Sequence, residues 1–232
     1  MSGPITVVFS TDEGYLAPTY VAIYSLLSNH RGSRAVNIYV LTPGGYPTQQ
    51  QHALRKLVAA SDNASLSFID MGKAYARVSM NALQIATPAM YRLMIPRLLG
   101  DVDRCVYLDS DLVVEGDIAE LFDVDLGEKC VGGVRDCEVY RDSDDWRSIL
   151  GIPSLAGYIN SGVLLMDLRR IRDLHLDVVL ERLGYNDEYR YNDQDAINVA
   201  FYGETCQLPI RYNALWHFVV RAEKEMPLLD HC

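Results

Sequence analysis

The sequence predicts an α/β domain of three layers, with helices on both faces of a mostly parallel central sheet. Two observations lead there. Short apolar runs of strand length alternate with helix-patterned segments in the order strand–helix–strand–helix–strand, which calls for parallel pairing through right-handed crossovers. The 232 residues are 49% hydrophobic, enough to bury one substantial core, and no linker, repeat or low-complexity tract divides them. A single domain over residues 1–232 is the expectation.

Ile5 to Ser10 reads as a buried strand. After Thr11-Asp12-Glu13-Gly14, the residues Leu16, Ala17, Tyr20, Val21, Tyr24 and Leu27 recur at intervals of three and four, as on one face of a helix, with Pro18 tolerated in its first turn. Val36 to Leu41 is a second strand, Thr48 can cap a helix running through Ala60, and Leu66 to Ile69 is a third strand. Met90 to Ile95 forms a short helical piece stopped by Pro96. Arg104 to Leu108 is a strand that ends at Asp109-Ser110-Asp111. Later strands are Val131 to Arg135, Gly162 to Met166 and Thr205 to Leu208. A helix follows Asp193-Gln194-Asp195 through about Phe201, with Gly203 near its end. Polar loops at Glu138 to Trp146 and Tyr185 to Asn192 are placed to shape a cleft.

Charge and composition exclude several partners. A net charge of −10 argues against nucleic acid and against an anionic membrane surface, since both are polyanions. No apolar run approaches the roughly 18–20 residues that span a bilayer, and the start lacks a basic leader. The five cysteines form no C-x-x-C pair, and Cys105 and Cys206 read as buried thiols in strands. A reducing, cytoplasmic compartment fits this usage.

The chain holds 21 aspartates and five D-x-D triplets, where composition alone gives about two, so the triplet by itself is weak evidence. Asp109-Ser110-Asp111 stands apart because it lies where a buried strand gives out, the edge at which open α/β sheets bind ligands. Carboxylates at i and i+2 on extended chain project the same way and can reach one cation. Hard oxygen donors with vacant positions suit Mn²⁺ or Mg²⁺ bridging phosphates.

Five segments then occur in order: Phe9-Ser10-Thr11-Asp12-Glu13-Gly14-Tyr15, Tyr91-Arg92-Leu93, Tyr107-Leu108-Asp109-Ser110-Asp111, Asn160-Ser161-Gly162-Val163-Leu164-Leu165 and Asn192-Asp193-Gln194-Asp195. Together, over about residues 5 to 215, the chain resembles the family 8 retaining glycosyltransferases, which include lipopolysaccharide galactosyl- and glucosyltransferases and glycogenin. The resemblance implies a Rossmann-like GT-A fold and transfer of a hexose from UDP-glucose or UDP-galactose to a glycan, lipid-glycan or protein acceptor. It implies that Ser10, Thr11, Asp12 and Tyr15 hold the nucleoside, Arg92 contacts the donor sugar or phosphate, and Ser110 faces the ribose. Asp109 and Asp111 would ligate the metal, Asp136 would hydrogen-bond the donor sugar, and Asn160, Asp193 and Gln194 would line its reacting face.

Breaking the sugar–phosphate bond leaves a diphosphate with extra negative charge, while the sugar gains oxocarbenium character that nearby oxygens can stabilise. A double displacement through a protein nucleophile and a front-face attack beside the departing diphosphate both retain configuration.

The sequence departs from the family pattern in one respect. The His-x-x-Gly-x-x-Lys-Pro-Trp run, which supplies a third metal ligand and diphosphate contacts, does not occur in residues 1–232, and neither His217 nor His231 is a convincing substitute. A nucleotide- or glycan-binding protein without turnover is therefore the alternative reading. Asp109-x-Asp111-x-Val113 also fits the opening motif of haloacid-dehalogenase-like phosphatases, but the downstream lysine and acidic pair of that family are not convincingly present.

Overall fold

A computed structural model describes residues 3–76, 78, 87–136 and 143–215. Strands β1 (Ile5–Ser10), β2 (Val36–Thr42), β3 (Ala64–Asp70), β4 (Arg104–Leu108), β5 (Val131–Arg135), β6 (Ile159–Asp167) and β7 (Thr205–Gln207) form one sheet in the order β3-β2-β1-β4-β6-β5-β7. Helices α1 (Leu16–Asn29), α2 (Thr48–Val58) and α5 (Ile118–Phe122) cover one face. The other face takes α3 (Thr87–Met90), α4 (Ile95–Leu98), α6 (Ser143–Leu150), α7 (Leu168–Asp173), α8 (Leu176–Leu183) and α9 (Asn192–Ala200).

Strand alternation sorts the core into two halves. Val7, Phe9, Val106, Leu108, Val163 and Leu165 face the α1 side, while Val8, Cys105, Tyr107, Leu164 and Met166 face the α9 side. Because both faces are covered, all six residues of β1 are buried, and Ile5, Val7, Val8 and Phe9 make it mostly apolar on both faces, with only Thr6 and Ser10 polar.

One strand opposes the rest. β6 runs antiparallel to both β4 and β5, whereas β1–β2, β2–β3, β1–β4 and β5–β7 pair in parallel. This reversal positions the site, because it brings the beginning of β6 to the edge where β1, β4 and β5 end. Leu108 pairs with Val163 and Arg135 with Ile159, so Asp109 lies beside Gly162, and Asp136 beside Tyr158. Asn198 on α9 fixes the helix against that edge. Its side-chain amide accepts from Ile159 N and donates to Ile159 O, both at 2.8 Å, in the manner of a neighbouring strand.

Four expectations are corrected. The α1 face marked by Ala17, Tyr20, Val21 and Tyr24 is the outer one, and Thr19, Ala22, Ile23, Ser25 and Leu26 are buried instead. The helix carries apolar residues on two stripes, and the smaller Thr19 and Ala22 let it lie close to the sheet while the Thr19 hydroxyl bonds Thr11 and the Tyr15 carbonyl. Thr48 is the first helical residue after Pro47, not a cap, and α2 ends at Val58. Pro96 does not stop the segment after Met90. It occupies the first turn of α4, where its missing N–H costs nothing, so helical turns run from Thr87 to Leu98. Cys105 is buried as expected, but Cys206 on the short edge strand β7 is half-buried.

Candidate active site

Every residue assigned a site role by sequence sits on one edge of the sheet. Ser10 ends β1, Asp109 follows β4, Asp136 follows β5, Asn160 opens β6, and Asp193 and Gln194 lie in the first turn of α9. Asp193-Gln194-Asp195 thus starts the helix, which begins at Asn192, instead of preceding it.

Arg92 is the hub. It is 4% exposed, and its guanidinium reaches Asp109 Oδ1 at 2.7 Å and Asp193 Oδ2 at 3.2 Å. It also donates to the Ser161 carbonyl at 2.6 Å and the Ala89 carbonyl at 2.7 Å, and lies over the Tyr107 ring at 4.4 Å. Burial pulls its pKa down, but Asp109 and Asp193 outweigh that and keep it firmly protonated. Arg92 therefore ties two carboxylates, one just after β4 and one on helix α9, into one cluster.

Burial pushes the Asp109 carboxyl up to about 6, and the charges of Asp193 and Asp111 add to that against the pull of Arg92 and the Tyr107 hydroxyl, which donates to Oδ1 at 2.9 Å. The Asp109 side chain is one-third exposed and Asp111 is exposed, so both carboxylates open onto solvent. No group of three or more His, Cys, Asp or Glu side chains able to hold a metal occurs among the described residues. The donor set on this edge is two carboxylates in an over-acidic setting, which fits a hard divalent cation that takes its other ligands from substrate and water.

Two cavities meet at Asp109 and Asp111. The smaller, about 140 Å³, is lined by Ser10, Thr11, Asp12, Tyr15, Arg92 and Ser110 among others. The larger, about 990 Å³, runs from Asp109 and Asn160 along the segment after Asp111 toward Tyr212 and Asn213. Ser110 donates to the Ser10 carbonyl at 2.7 Å, locking β1 to the turn after β4. The Ser10 hydroxyl is buried beside the Tyr107 hydroxyl, and both residues line this cavity. Asp12 accepts from Gly14 N at 2.9 Å and so caps the short turn Glu13–Tyr15, which presents Tyr15 on the rim. Of the polar loop expected at Glu138 to Trp146, residues 138–142 lie outside the described residues, as do His217 and His231, while Ser143 to Trp146 instead opens helix α6. The Tyr185 to Asn192 stretch lines neither cavity; Tyr189 turns inward and Tyr185 packs tilted against Tyr75 with ring centroids 4.8 Å apart.

Asn160, Gln194 and Asp136 form a second cluster. Gln194 Oε1 accepts from Ser161 N and from Asn160 Nδ2, both at 3.1 Å, and Gln194 Nε2 donates to Asp136 Oδ2 at 3.0 Å. Asn160 Oδ1 accepts from Gly162 N at 2.9 Å and from Asn213 Nδ2 at 2.8 Å. Ser161 Oγ donates to Asp193 Oδ2 at 3.0 Å and links this cluster to Arg92. Sequence reading singled out neither Tyr158, which contacts Gln194, nor Asn198. Tyr107 stands within the Tyr107-Leu108-Asp109-Ser110-Asp111 segment but carried no assigned role, although its two-residue spacing to Asp109 was a usable signal.

Comparison with known proteins agrees with this architecture. Residues 6–228 match the sequence pattern of Glycosyl transferase family 8. The chain is 32% identical over 218 residues to the lipopolysaccharide 1,2-glucosyltransferase of Escherichia coli K12, covering 91% of this chain and 62% of that enzyme, so it spans under two thirds of that relative. The galactosyltransferase LgtC, solved with donor and acceptor sugar analogues, superposes with a TM-score of 0.75 at 27% identity over 89% of this chain and 74% of LgtC. The apo WbbM bifunctional glycosyltransferase superposes with a TM-score of 0.79 at 26% identity, covering 90% of this chain and 39% of WbbM. Both likenesses identify the GT-A glycosyltransferase fold, and the match across residues 6–228 means that the chain belongs to glycosyl transferase family 8.

Proposed function

We propose that the chain carries the catalytic centre of a retaining hexosyltransferase that takes glucose or galactose from a UDP-sugar. The observation that carries this reading is the pair of cavities meeting at Asp109 and Asp111, one small and flanked by the β1 turn, the other large and open. The small cavity suits the nucleoside, with Tyr15 offering a ring face, Asp12 an acceptor and Ser10 a hydroxyl in its lining. The large one has room for an acceptor glycan. Asp109 and Asp111 would hold Mn²⁺ or Mg²⁺, and such an ion, when bound, stabilises the negative charge that builds on the departing diphosphate.

The chain's own residues then have distinct tasks. Arg92 fixes the Asp109 and Asp193 carboxylates, so the edge is organised before substrate arrives. Asn160 and Asp136 face the sugar as hydrogen-bonding groups, and Asp193 and Gln194 supply negative or partially negative oxygens near the carbon that becomes electron-poor. Asp193 Oδ2 already accepts from Arg92 and Ser161, and the Gln194 oxygen already takes two donors. The Gln194 amide oxygen, with both lone pairs taken, is a poor nucleophile, and a double displacement would have to use Asp193 Oδ1; we infer the front-face route, in which the acceptor hydroxyl attacks and its proton passes to the leaving diphosphate oxygen.

The test incubates the chain with UDP-glucose or UDP-galactose and Mn²⁺ and measures UDP. Release with either donor, abolished in the Asp109→Asn/Asp111→Asn double variant, is expected. No release from either donor, together with Mn²⁺-dependent UDP binding, would replace the enzyme with the binding protein.

A further inference from the structure

A buried layer beneath the reacting face holds two groups that the proposed function does not use. Asp195, one residue beyond Gln194 on α9, is fully buried. Its Oδ1 accepts from the Tyr158 hydroxyl and from Trp146 Nε1 at 3.3 Å, and its Oδ2 accepts from Tyr191 N at 2.9 Å. The indole and backbone N–H groups only donate. A carboxylate surrounded by such donors leaves the Tyr158 hydroxyl donating as well, with its lone pairs turned outward. Gln194 Nε2 lies 3.4 Å from that phenol oxygen.

The Gln194 amide cannot be flipped. Ser161 N is a backbone donor and sits on Oε1, so the NH₂ end must face Asp136 and Tyr158. An amide has two lone pairs on oxygen and two hydrogens on nitrogen, and here all four are taken: Ser161 N and Asn160 on one end, Asp136 and Tyr158 on the other. Gln194 thus bridges Asp136 and Asn160, the two groups assigned to the sugar, which also meet directly through Asn160 Nδ2 and Asp136 Oδ2 at 3.4 Å. Rotation of a terminal amide is otherwise soft, because its last torsion has a broad well. Tyr158 supplies the fourth restraint.

We propose that Tyr158 is a positioning residue for transfer: its hydroxyl, anchored on Asp195, takes one amide hydrogen of Gln194 and so keeps Asp136 and Asn160 in register at the reacting face. This rests on the transferase reading above for its kinetic consequence, but its physical content, a locked amide, does not.

Both are tested with Tyr158→Phe, which removes the hydroxyl and keeps the ring. In the ¹⁵N-labelled chain the Gln194 side-chain amide protons exchange slowly with solvent, and Tyr158→Phe speeds that exchange at least tenfold; unchanged exchange would overturn the proposal whether or not the chain turns over donor. In UDP-release kinetics, Tyr158→Phe lowers kcat at least tenfold with the donor KM within twofold. In a Gln194→Ala background the same change lowers kcat less than twofold, because the residue it acts through is gone. Losses that multiply in the double variant would sink the idea. A tyrosine that merely stabilises the fold would lower the melting temperature and leave amide exchange and the kcat/KM split alone. Should Tyr158→Phe not fold, Asp195→Asn loosens the same hold and carries the same expectations. Absence of UDP release from the unaltered chain is the failure of the transferase reading alone, and the exchange experiment still decides the positioning.

Discussion

Gly162→Ala probes the tightest point of the site. Gly162 lies next to Asp109 across the β4–β6 pair, and Asp109 N donates to its carbonyl at 2.8 Å. A Cβ on this residue would stand 2.9 Å from Asp109 Oδ2 and 3.0 Å from Asn160 Oδ1, where ordinary contact begins at 3.4 Å. Relief requires Oδ2 to move by the difference, 0.5 Å. The carboxylate cannot swing freely, because Oδ1 is held by Arg92 at 2.7 Å and Tyr107 at 2.9 Å. The shift therefore strains those two bonds or displaces Asn160. Overpacking of this kind costs about 1–3 kcal/mol, and the lower end applies here since the clash is with side-chain tips. The effect on turnover is larger in proportion: a misplacement of about 1 Å can cost roughly a hundredfold, so half of it predicts about a tenfold loss in kcat/KM, equivalent to about 1.4 kcal/mol. Weaker Mn²⁺ binding should accompany it in titration calorimetry, with the circular-dichroism spectrum unchanged. A Gly162→Ala chain with unaltered Mn²⁺ affinity and unaltered UDP release would refute the claim that Asp109 and Asn160 work from the positions described.

Other perturbations follow from the same contacts. Arg92→Ala leaves the buried Asp193 carboxylate without its ion partner and facing the one-third exposed Asp109, and urea unfolding should show a loss of about 3–5 kcal/mol, as expected when one partner of a buried pair is removed. Asp117 caps α5 and bonds His30 at 2.8 Å; burial raises its carboxyl, but donation from His30, Ala119 N and Arg31 N outweighs that and leaves it below the usual range. Its folded-state pKa being depressed, its contribution is present above the unfolded carboxylate value and disappears as pH falls through the folded one. Asp117→Asn should therefore flatten the acid limb of a stability–pH curve and leave the alkaline limb unchanged. Gly133→Ala would set a Cβ 2.7 Å from Ile159 Cδ1 and 3.1 Å from Ile159 Cβ, at the register shift between β5 and β6. Thermal melts should show a loss of about 1–3 kcal/mol, with the steric reasoning wrong if stability is unchanged.

The parts of this molecule that could be read from sequence are those whose physics is local. β1 is buried on both faces, so its apolar run announces a strand, and Asp109-Ser110-Asp111 stands out because polar residues interrupt such a run at its end. The outward stripe of α1 misled because Tyr20, Val21 and Tyr24 have the same spacing as a packing face; only the sheet decides between two apolar stripes. The role of Arg92 as a link was hidden for a different reason. Its partners Ser161 and Asp193 come from elements 69 residues or more away, brought in by the reversed strand β6 and by α9. Tyr158 and Asn198 gave no periodic signal at all, since each acts through one hydrogen-bonding group on a neighbour placed by topology.

That topology also explains why a cation belongs in the proposed chemistry. Asp12, Asp109, Asp111, Asp136 and Asp193 converge on one sheet edge, and the positive charge of Arg92 is already shared between Asp109 and Asp193. Two unit charges about 4 Å apart interact by about 4 kcal/mol at an effective dielectric of 20, so a bare diphosphate brought against Asp109 and Asp111 meets a repulsion comparable to the whole binding energy of a millimolar ligand, about 4.1 kcal/mol. In the proposed reaction a divalent cation on the two carboxylates would reverse the sign of the local field and so favour the nucleotide diphosphate there. Burial and the charges of Asp193 and Asp111 raise the Asp109 carboxyl, and it is the like-charge part of that crowding that a cation would relieve.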